Sequence, residues 1–512
     1  MTEPNPIIAV IDETAPEDKR GIYYVVTAAL LLDAEQVRAA LTEVLPTDRK
    51  RPFHWANEGP QARQRMMTVI IDTGVVAHVG LHAVGAFADR VGLGDALSDA
   101  VLYRGRGVPV HDRGKVLVHT ALALAGGGDT CSDVEALRAS SALFGHAPSD
   151  TTVARTLAGI TEADRGRIAA ALAPLRERVW AEADIGADGP VVLDIDASVI
   201  EIHSENKEHT APTFKGTFGF HPMFCFADAT GEALAAVLRA GNAGANTVAD
   251  HVTVLDQAIG QLPAPIGAGH RCGDNPDLVA RQVVVRADSA GCTHGFLAAC
   301  RQRNVGFYVT ARSNPAVTAA ISDSIGVDAW TPAIDRDGRP RTDGAAVCEL
   351  TSLIDDSRLP AGTRLIVRRE PLHPGAQRSL FPSLEYRYWG FYTDQDGDPV
   401  ECDATMRAHA HVEQHIQRLK DSGLCRFPFN RFDTNQAWLQ TVTLAADLVR
   451  WFQLVCLPDT WADVRPKKLR WTLFGAPGRL VRTARQTIVR LIDDWPTAGV
   501  LVGAYQRIAL IA

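Results

Sequence analysis

Val191-Val192-Leu193-Asp194-Ile195-Asp196-Ala197-Ser198-Val199-Ile200 is an apolar, mostly β-branched run interrupted by two acids, and it reads as a buried strand. Side chains alternate across a strand, so Asp194 and Asp196 project from one face. The next acid in a comparable setting is Asp288, directly after the apolar run Val283-Val284-Val285 and just before Ser289, which reads as the cap of a helix through Phe296 to Arg303. Asp288 is therefore expected at the carboxyl end of a strand. Glu413 lies in Met406-Arg407-Ala408-His409-Ala410-His411-Val412-Glu413-Gln414-His415-Ile416-Gln417-Arg418-Leu419-Lys420. There Val412, Ile416 and Leu419 form an apolar helical stripe, with Glu413, Gln417 and Lys420 on a neighbouring polar face. Strand acid, strand-end acid and helix acid, in that order, is the pattern of an RNase H-like nucleotidyltransferase core with a DDE active site.

A chain of 512 residues with 46% hydrophobic content can build several cores, so an enzyme of more than one domain is expected. The formal charge of −8 argues against a uniformly basic nucleic-acid binder, but the charge is segregated. From Val464 to Arg490 there is no acid, while Arg465, Lys467, Lys468, Arg470, Arg479, Arg482, Arg485 and Arg490 fall there with Trp471 and Phe474 between them. That run reads either as a solvated basic helix pair or as a track for phosphates. The nine cysteines form no CxxC pair, which fits a reduced interior rather than zinc. No leader-like opening and no apolar stretch near the roughly 20 residues of a membrane helix is seen, so a soluble, cytoplasmic protein without a membrane partner is expected.

Along the chain, residues 1–74 read as an appended α/β segment. Ile7-Ile8-Ala9-Val10-Ile11 ends in Asp12-Glu13, Tyr23-Tyr24-Val25-Val26 makes a second strand and Ala34 to Val44 a helix. This opening resembles the start of an uncharacterised RNase H-like family, with the rest of that family's site missing. Asp12 and Glu13 are read as surface acids and the chain as a chimera. Residues 75–182 read as a helical DNA-binding region, in which Ser132-Asp133-Val134-Glu135 has capping-box form and Ser149-Asp150-Thr151-Thr152-Val153-Ala154-Arg155-Thr156-Leu157 reads as the second helix of a helix-turn-helix. Arg155 is its expected DNA contact; any helical hairpin would give the same signal. Residues 183–306 and 404–460 read as the two parts of the core. They are separated by a β-rich insertion, 307–403, with strands at Phe307 to Thr310, Arg364 to Arg368 and Tyr386 to Thr393. Residues 461–512 read as a basic helical C-terminal region.

Several stretches together resemble the 1380 group of bacterial insertion-sequence DDE transposases over residues 75–460. They include Val76-Ala77-His78-Val79-Gly80-Leu81, Gly127-Gly128-Asp129, Asp194-Ile195-Asp196-Ala197-Ser198, Phe214-Lys215-Gly216 with His221-Pro222, Gly241-Asn242-Ala243, Val285-Arg286-Ala287-Asp288-Ser289, Thr310-Ala311-Arg312-Ser313-Asn314-Pro315, the Glu413 helix and Asn435-Gln436-Ala437-Trp438-Leu439. The resemblance implies cut-and-paste joining at the terminal inverted repeats of an insertion sequence. The implied partners are those repeats and target DNA, with a homodimer in the synaptic complex and a bacterial, nucleoid-associated location. It implies catalytic and metal-ligating roles for Asp196, Asp288 and Glu413, with Asp194 as an auxiliary ligand or an acid behind the ligands. DNA contacts are implied at Lys215, His221, Arg286, Arg312 and Lys420, besides Arg155, Lys467, Lys468 and Arg470. One departure is that the usual Tyr and Arg before the last acid are Met406 and His409, so Arg407 is expected to supply the missing cation.

The chemistry calls for these residue types. Charge builds on attacking and leaving oxygens in an in-line phosphodiester exchange, and two Mg²⁺ ions about 3.5–4 Å apart, replaceable by Mn²⁺, stabilise both through carboxylate ligands. A zinc site at His411 and His415 fails, because the Glu of that motif adjoins the first His, where this chain has Val412. A stand-alone RNase H-fold nuclease and a catalytically silent, transposase-derived DNA binder are the rival readings.

Overall fold

The computed structural model describes residues 75–511 except 186–188, 313–314, 325–328, 356, 373–385, 484–485 and 493. Asp12, Glu13 and the expected elements of residues 1–74 lie outside the described residues. Two compact units are distinguished, one containing Val75, Val76 and residues 478–490, the other residues 77–477 and 491–512.

The larger unit is built on a nine-stranded mixed sheet. Its strands are β1 (Val191–Ala197), β2 (Met223–Ala227), β3 (Ala233–Val237), β4 (Val283–Ala287), β5 (Val305–Thr310), β6 (Thr331–Pro332), β7 (Ala346–Glu349), β8 (Arg364–Pro371) and β9 (Tyr386–Thr393). They run in the order β6-β7-β8-β9-β5-β4-β1-β2-β3. β1, β4 and β5 are parallel neighbours, with Ile195 opposite Ala287 and Ala287 opposite Val309. All of β4 is buried, as continuous Val-rich strands in parallel arrangement require. The strands between the second Asp and the Glu join this same sheet: β9 pairs antiparallel with β5, Phe391 facing Thr310. The segment 331–393 thus widens the core sheet instead of standing beside it.

Helices cover the sheet and make the N-terminal part of the unit. They are α1 (Val79–Arg90), α2 (Leu93–Ala100), α3 (Arg113–Ala125), α4 (Asp150–Ala158), α5 (Glu162–Glu182), α6 (Val248–Ile259), α7 (His294–Arg301), α8 (Pro399–Arg407), α9 (His411–Leu419), α10 (Phe432–Cys456) and α11 (Ala498–Leu510). No helix among the described residues is long and apolar enough to cross a membrane. α10 is apolar nearly all round because it is the central pillar, packing against α3, α5 and β3. Its one deep acid, Asp447, joins a buried network: Arg176 of α5 donates to Asp447 Oδ2 at 3.0 Å and to Glu232 Oε1 at 2.7 Å, and the indoles of Trp180 and Trp451 donate to Glu232 at 2.6 and 2.5 Å. Those bonds satisfy charges that burial would otherwise make prohibitive. Gly80 permits α1 to lie against the chain near Leu473, whose carbonyl oxygen would be 2.0 Å from any added Cβ.

Three local expectations need correcting. The capping box before residue 135 is centred on Thr130, which exchanges bonds with Asp133, and not on Ser132. Ser289 does not cap a helix; a turn intervenes, and Thr293 caps α7 by accepting from Phe296 N at 3.2 Å. The C-terminal segment is not wholly helical. Gly478–Thr483 and Gln486–Leu491 pair as a β-hairpin, and Val75–Val76 adds a third strand. The density of arginines obscured Leu480-Val481 and Ile488-Val489, β-branched pairs that favour strands.

Candidate active site

The parallel register of β1 and β4 sets Asp194 opposite Arg286. Both are buried, and the guanidinium straddles the carboxylate, Nε to Oδ1 at 2.8 Å and Nη2 to Oδ2 at 2.6 Å. Arg286 also pairs with Asp228 at 2.9 Å and donates to the Thr405 carbonyl, while His409 donates to Asp194 Oδ1 at 2.7 Å. Burial alone would raise the Asp194 carboxyl; the bonds from His409 and Arg286 outweigh it and hold the group below the usual carboxylate range. Arg286 is enclosed in this arrangement, unlike the DNA-facing cation expected there, and Asp194 spends its oxygens on Arg286 and His409, which fits an acid behind the ligands, the second of the two roles expected for it.

Two residues on, Asp196 stands near the carboxyl end of β1, a strand paired on both sides, with one oxygen accepting from Ala197 N at 2.7 Å. Its carboxyl is pushed up to about 6, first by burial and then by repulsion from Asp288 and Glu413, with the Ala197 bond and His409 opposing. The ionised form therefore costs stability, a cost absent below the ordinary carboxylate range near pH 4 and fully present above about pH 6. Asp288 is the first residue past β4, held by its own turn: Ala290 N donates to its Oδ1 at 2.9 Å. Arg312 braces that turn, donating to the Ser289 carbonyl at 2.8 Å and the Ala290 carbonyl at 3.4 Å. Glu413 stands exposed on the first turn of α9, whose Val412, Ile416 and Leu419 are buried and turn it outward.

Two parallel strands and one helix thus bring the charges of two other acids, distant in sequence, to bear on Asp196. Hard carboxylate oxygens of this kind suit a divalent cation, whose charge would relieve the repulsion. Among the described residues no three His, Cys, Asp or Glu side chains converge tightly enough to hold a metal. His411 and His415 do not form a zinc pair: His411 donates to Asp228 at 3.1 Å, and His415 is buried beside Phe226, where burial first and the Arg418 charge next drive its ring down to about 4.

The other candidates divide by exposure. Lys215 is exposed beside Phe214, and Lys467, Lys468 and Arg155 are exposed as well, while Lys420 is half-buried. Arg407 is tied to Asp403 at 2.9 Å and to the Ile334 carbonyl at 2.5 Å. His221, expected to contact DNA, is buried and bonded to the Ala243 carbonyl at 3.3 Å. Arg470 lies against Gly127 and donates to the Asp421 carbonyl at 2.7 Å, a packing role unlike that of its exposed neighbours. Sequence reasoning gave no role to His409 or Asp228. The spacing of His409, four residues before Glu413, was the available signal for the first; nothing local marks Asp228.

The family model for transposase DDE domain group 1 matches residues 61–512, beginning before the point where the sequence resemblance above begins. Among solved structures, the piggyBac transposase synaptic complex with hairpin DNA is similar at 10% identity with a TM-score of 0.38, covering 79% of this chain and 82% of that one. No curated protein matches.

Proposed function

The chain belongs to the DDE transposase family, group 1, and from that we propose that it cuts DNA at the terminal inverted repeats of an insertion sequence of the 1380 type and joins the ends to target DNA. What supports the reading is that the charges of Asp288 and Glu413 bear on Asp196 near the carboxyl end of a strand inside the mixed sheet. An RNase H-like core uses this arrangement of strand, strand-end and helix acids. In this reading the three carboxylates, which do not converge on one point among the described residues, would close on the divalent ions, two Mg²⁺ with Mn²⁺ as a substitute. Such ions stabilise charge on the attacking and leaving oxygens.

The protein's own residues supply the positioning. The Asp194–Arg286 pair locks β1 to β4, so Asp196 and Asp288 keep their relative place. His409, bonded to Asp194, and His411, bonded to Asp228, fix the start of α9 and with it Glu413. Arg312 fixes the Asp288 turn. A preorganised frame of this sort lowers the reorganisation needed when charge develops. Lys215, Lys420, Lys467, Lys468 and Arg155 are the cations we assign to DNA, and a homodimer would bring two ends together.

The test uses purified full-length protein, a labelled duplex carrying one terminal inverted repeat and a supercoiled plasmid, with Mg²⁺ or with a chelator. The expected result is end cleavage and joining to the plasmid in Mg²⁺ only. Cleavage without joining would identify a nuclease, and binding without cleavage a silent DNA-binding protein; either overturns the proposal.

A further inference from the structure

Between α2 and α3 the chain makes a loop, Leu102-Tyr103-Arg104-Gly105-Arg106-Gly107-Val108-Pro109-Val110-His111, that no part of the catalytic reading uses. Its base is pinned on several sides. Arg104 forks onto Asp164 of α5 at 2.6 and 2.9 Å, and the Tyr103 hydroxyl donates to the Arg106 carbonyl at 3.3 Å. His111 stacks on His146 with centroids 4.9 Å apart. Arg113 lies over the Tyr103 ring and donates to Thr156 of α4 at 2.5 Å, tying the loop to the helix that carries exposed Arg155.

The tip is the opposite of its base. Arg106 is exposed, and Val108 and Val110, 95% and 87% exposed, are more exposed than any other large apolar side chain among the described residues. Two valines held in water on a loop anchored at its base are free to meet a partner. The charge says which kind of partner: residues 102–115 carry Arg104, Arg106, Arg113 and Lys115 against the single acid Asp112, whose carboxylate is turned into the cap of α3, accepting from Lys115 N at 2.9 Å.

The backbone says how it would fit. A Cβ at Gly105 would lie 2.3 Å from the Tyr103 hydroxyl and displace that ring, and Gly107 sits at φ +78°, where a side chain is strained. Arg106 is therefore carried on a ribbon with no side chain on either flank. A minor groove about 6 Å wide admits such a ribbon, its negative potential draws in a guanidinium, and small apolar side chains can wedge against base steps beside it.

We propose that loop 102–111 is a minor-groove arm, placing Arg106 in the groove with Val108 and Val110 against its floor while α4 faces the same duplex. This rests on the DNA-handling function above, and adds a second contact that reads groove shape.

The test measures affinity of the full-length protein for three short duplexes: A·T-rich, G·C-rich, and the G·C-rich one with inosine replacing guanine, which removes the amino group from the minor groove and leaves the major-groove hydrogen-bonding edges in place. The wild type should favour the A·T and inosine duplexes. Arg106→Ala should lose about tenfold on those two and little on the G·C duplex, erasing the preference. Val108→Ser with Val110→Ser should act in the same direction. Folding is checked by thermal melting, which Arg106→Ala should leave unchanged. Equal affinities of wild type and Arg106→Ala, or an inosine duplex bound no better than its G·C parent, would overturn the arm. So would an unchanged DNA affinity with an altered sedimentation mass, which would give the loop to a second copy of the chain. A wild type that binds none of the three duplexes would instead bring down the DNA reading itself, and the arm with it.

Discussion

Replacing Asp196, Asp288 or Glu413 with alanine should abolish both end cleavage and strand joining, by more than about 10²–10³ in rate, while leaving affinity for end DNA nearly unchanged. The magnitude is that of removing one preorganised electrostatic group from a reacting centre. Binding survives because none of the three carries a phosphate-facing cation. Asp196 should be the least forgiving, since it is the acid on which the other two converge and the one already pushed up to about 6 by burial and by their charges. Stability should not fall with it: removing a carboxylate from a cluster of like charges relieves repulsion at neutral pH. Cleavage and joining assays beside a filter-binding titration and a thermal melt check all of this. Near-normal joining by any one variant removes that residue from the site.

Arg286→Ala should behave in the opposite way, losing the fold before it loses any particular step. The guanidinium is 1% exposed and is shared by Asp194, Asp228 and the Thr405 carbonyl. Its removal strands a buried carboxylate, which costs about 3–5 kcal/mol. Total stabilities of roughly 5–15 kcal/mol leave little after such a loss. Arg286→Lys should recover only part, because a single ammonium cannot reproduce the two parallel bonds to Asp194. Urea unfolding followed by tryptophan fluorescence measures the loss. A variant that unfolds at the wild-type midpoint but binds DNA poorly would return Arg286 to the DNA-facing role that its sequence context implied.

That reversal shows where the sequence was readable and where it was not. The alternation of Val191 to Ile200 and the apolar stripe of α9 are local periodicities, and they place Asp196 on a strand and Glu413 on a helix without any knowledge of partners. The strands at Tyr386–Thr393 and Arg364–Pro371 were legible for the same reason. What strands pair with is non-local. Nothing in the order of residues says that β9 docks on β5 and so extends one sheet, or that the register sets Asp194 against Arg286 and turns an apparent ligand and an apparent DNA contact into one buried ion pair. A cation inside the buried run of β4 did demand a counter-charge, and that demand could have been read. Exposure of the basic side chains was not legible either: Lys467 and Arg470 are three residues apart, yet one faces solvent and the other packs on Gly127.

The central claim is that acids from β1, the end of β4 and α9 form one metal centre. Fe²⁺ placed in a Mg²⁺ site and treated with peroxide releases hydroxyl radicals that cut the backbone beside the ion, so the fragments report which segments surround it. The wild-type chain should yield cuts near Asp196, Asp288 and Glu413 together, all suppressed by excess Mg²⁺ and all absent in Asp196→Ala. Cuts at one of these segments without the others, or a pattern that persists in Asp196→Ala, would contradict it.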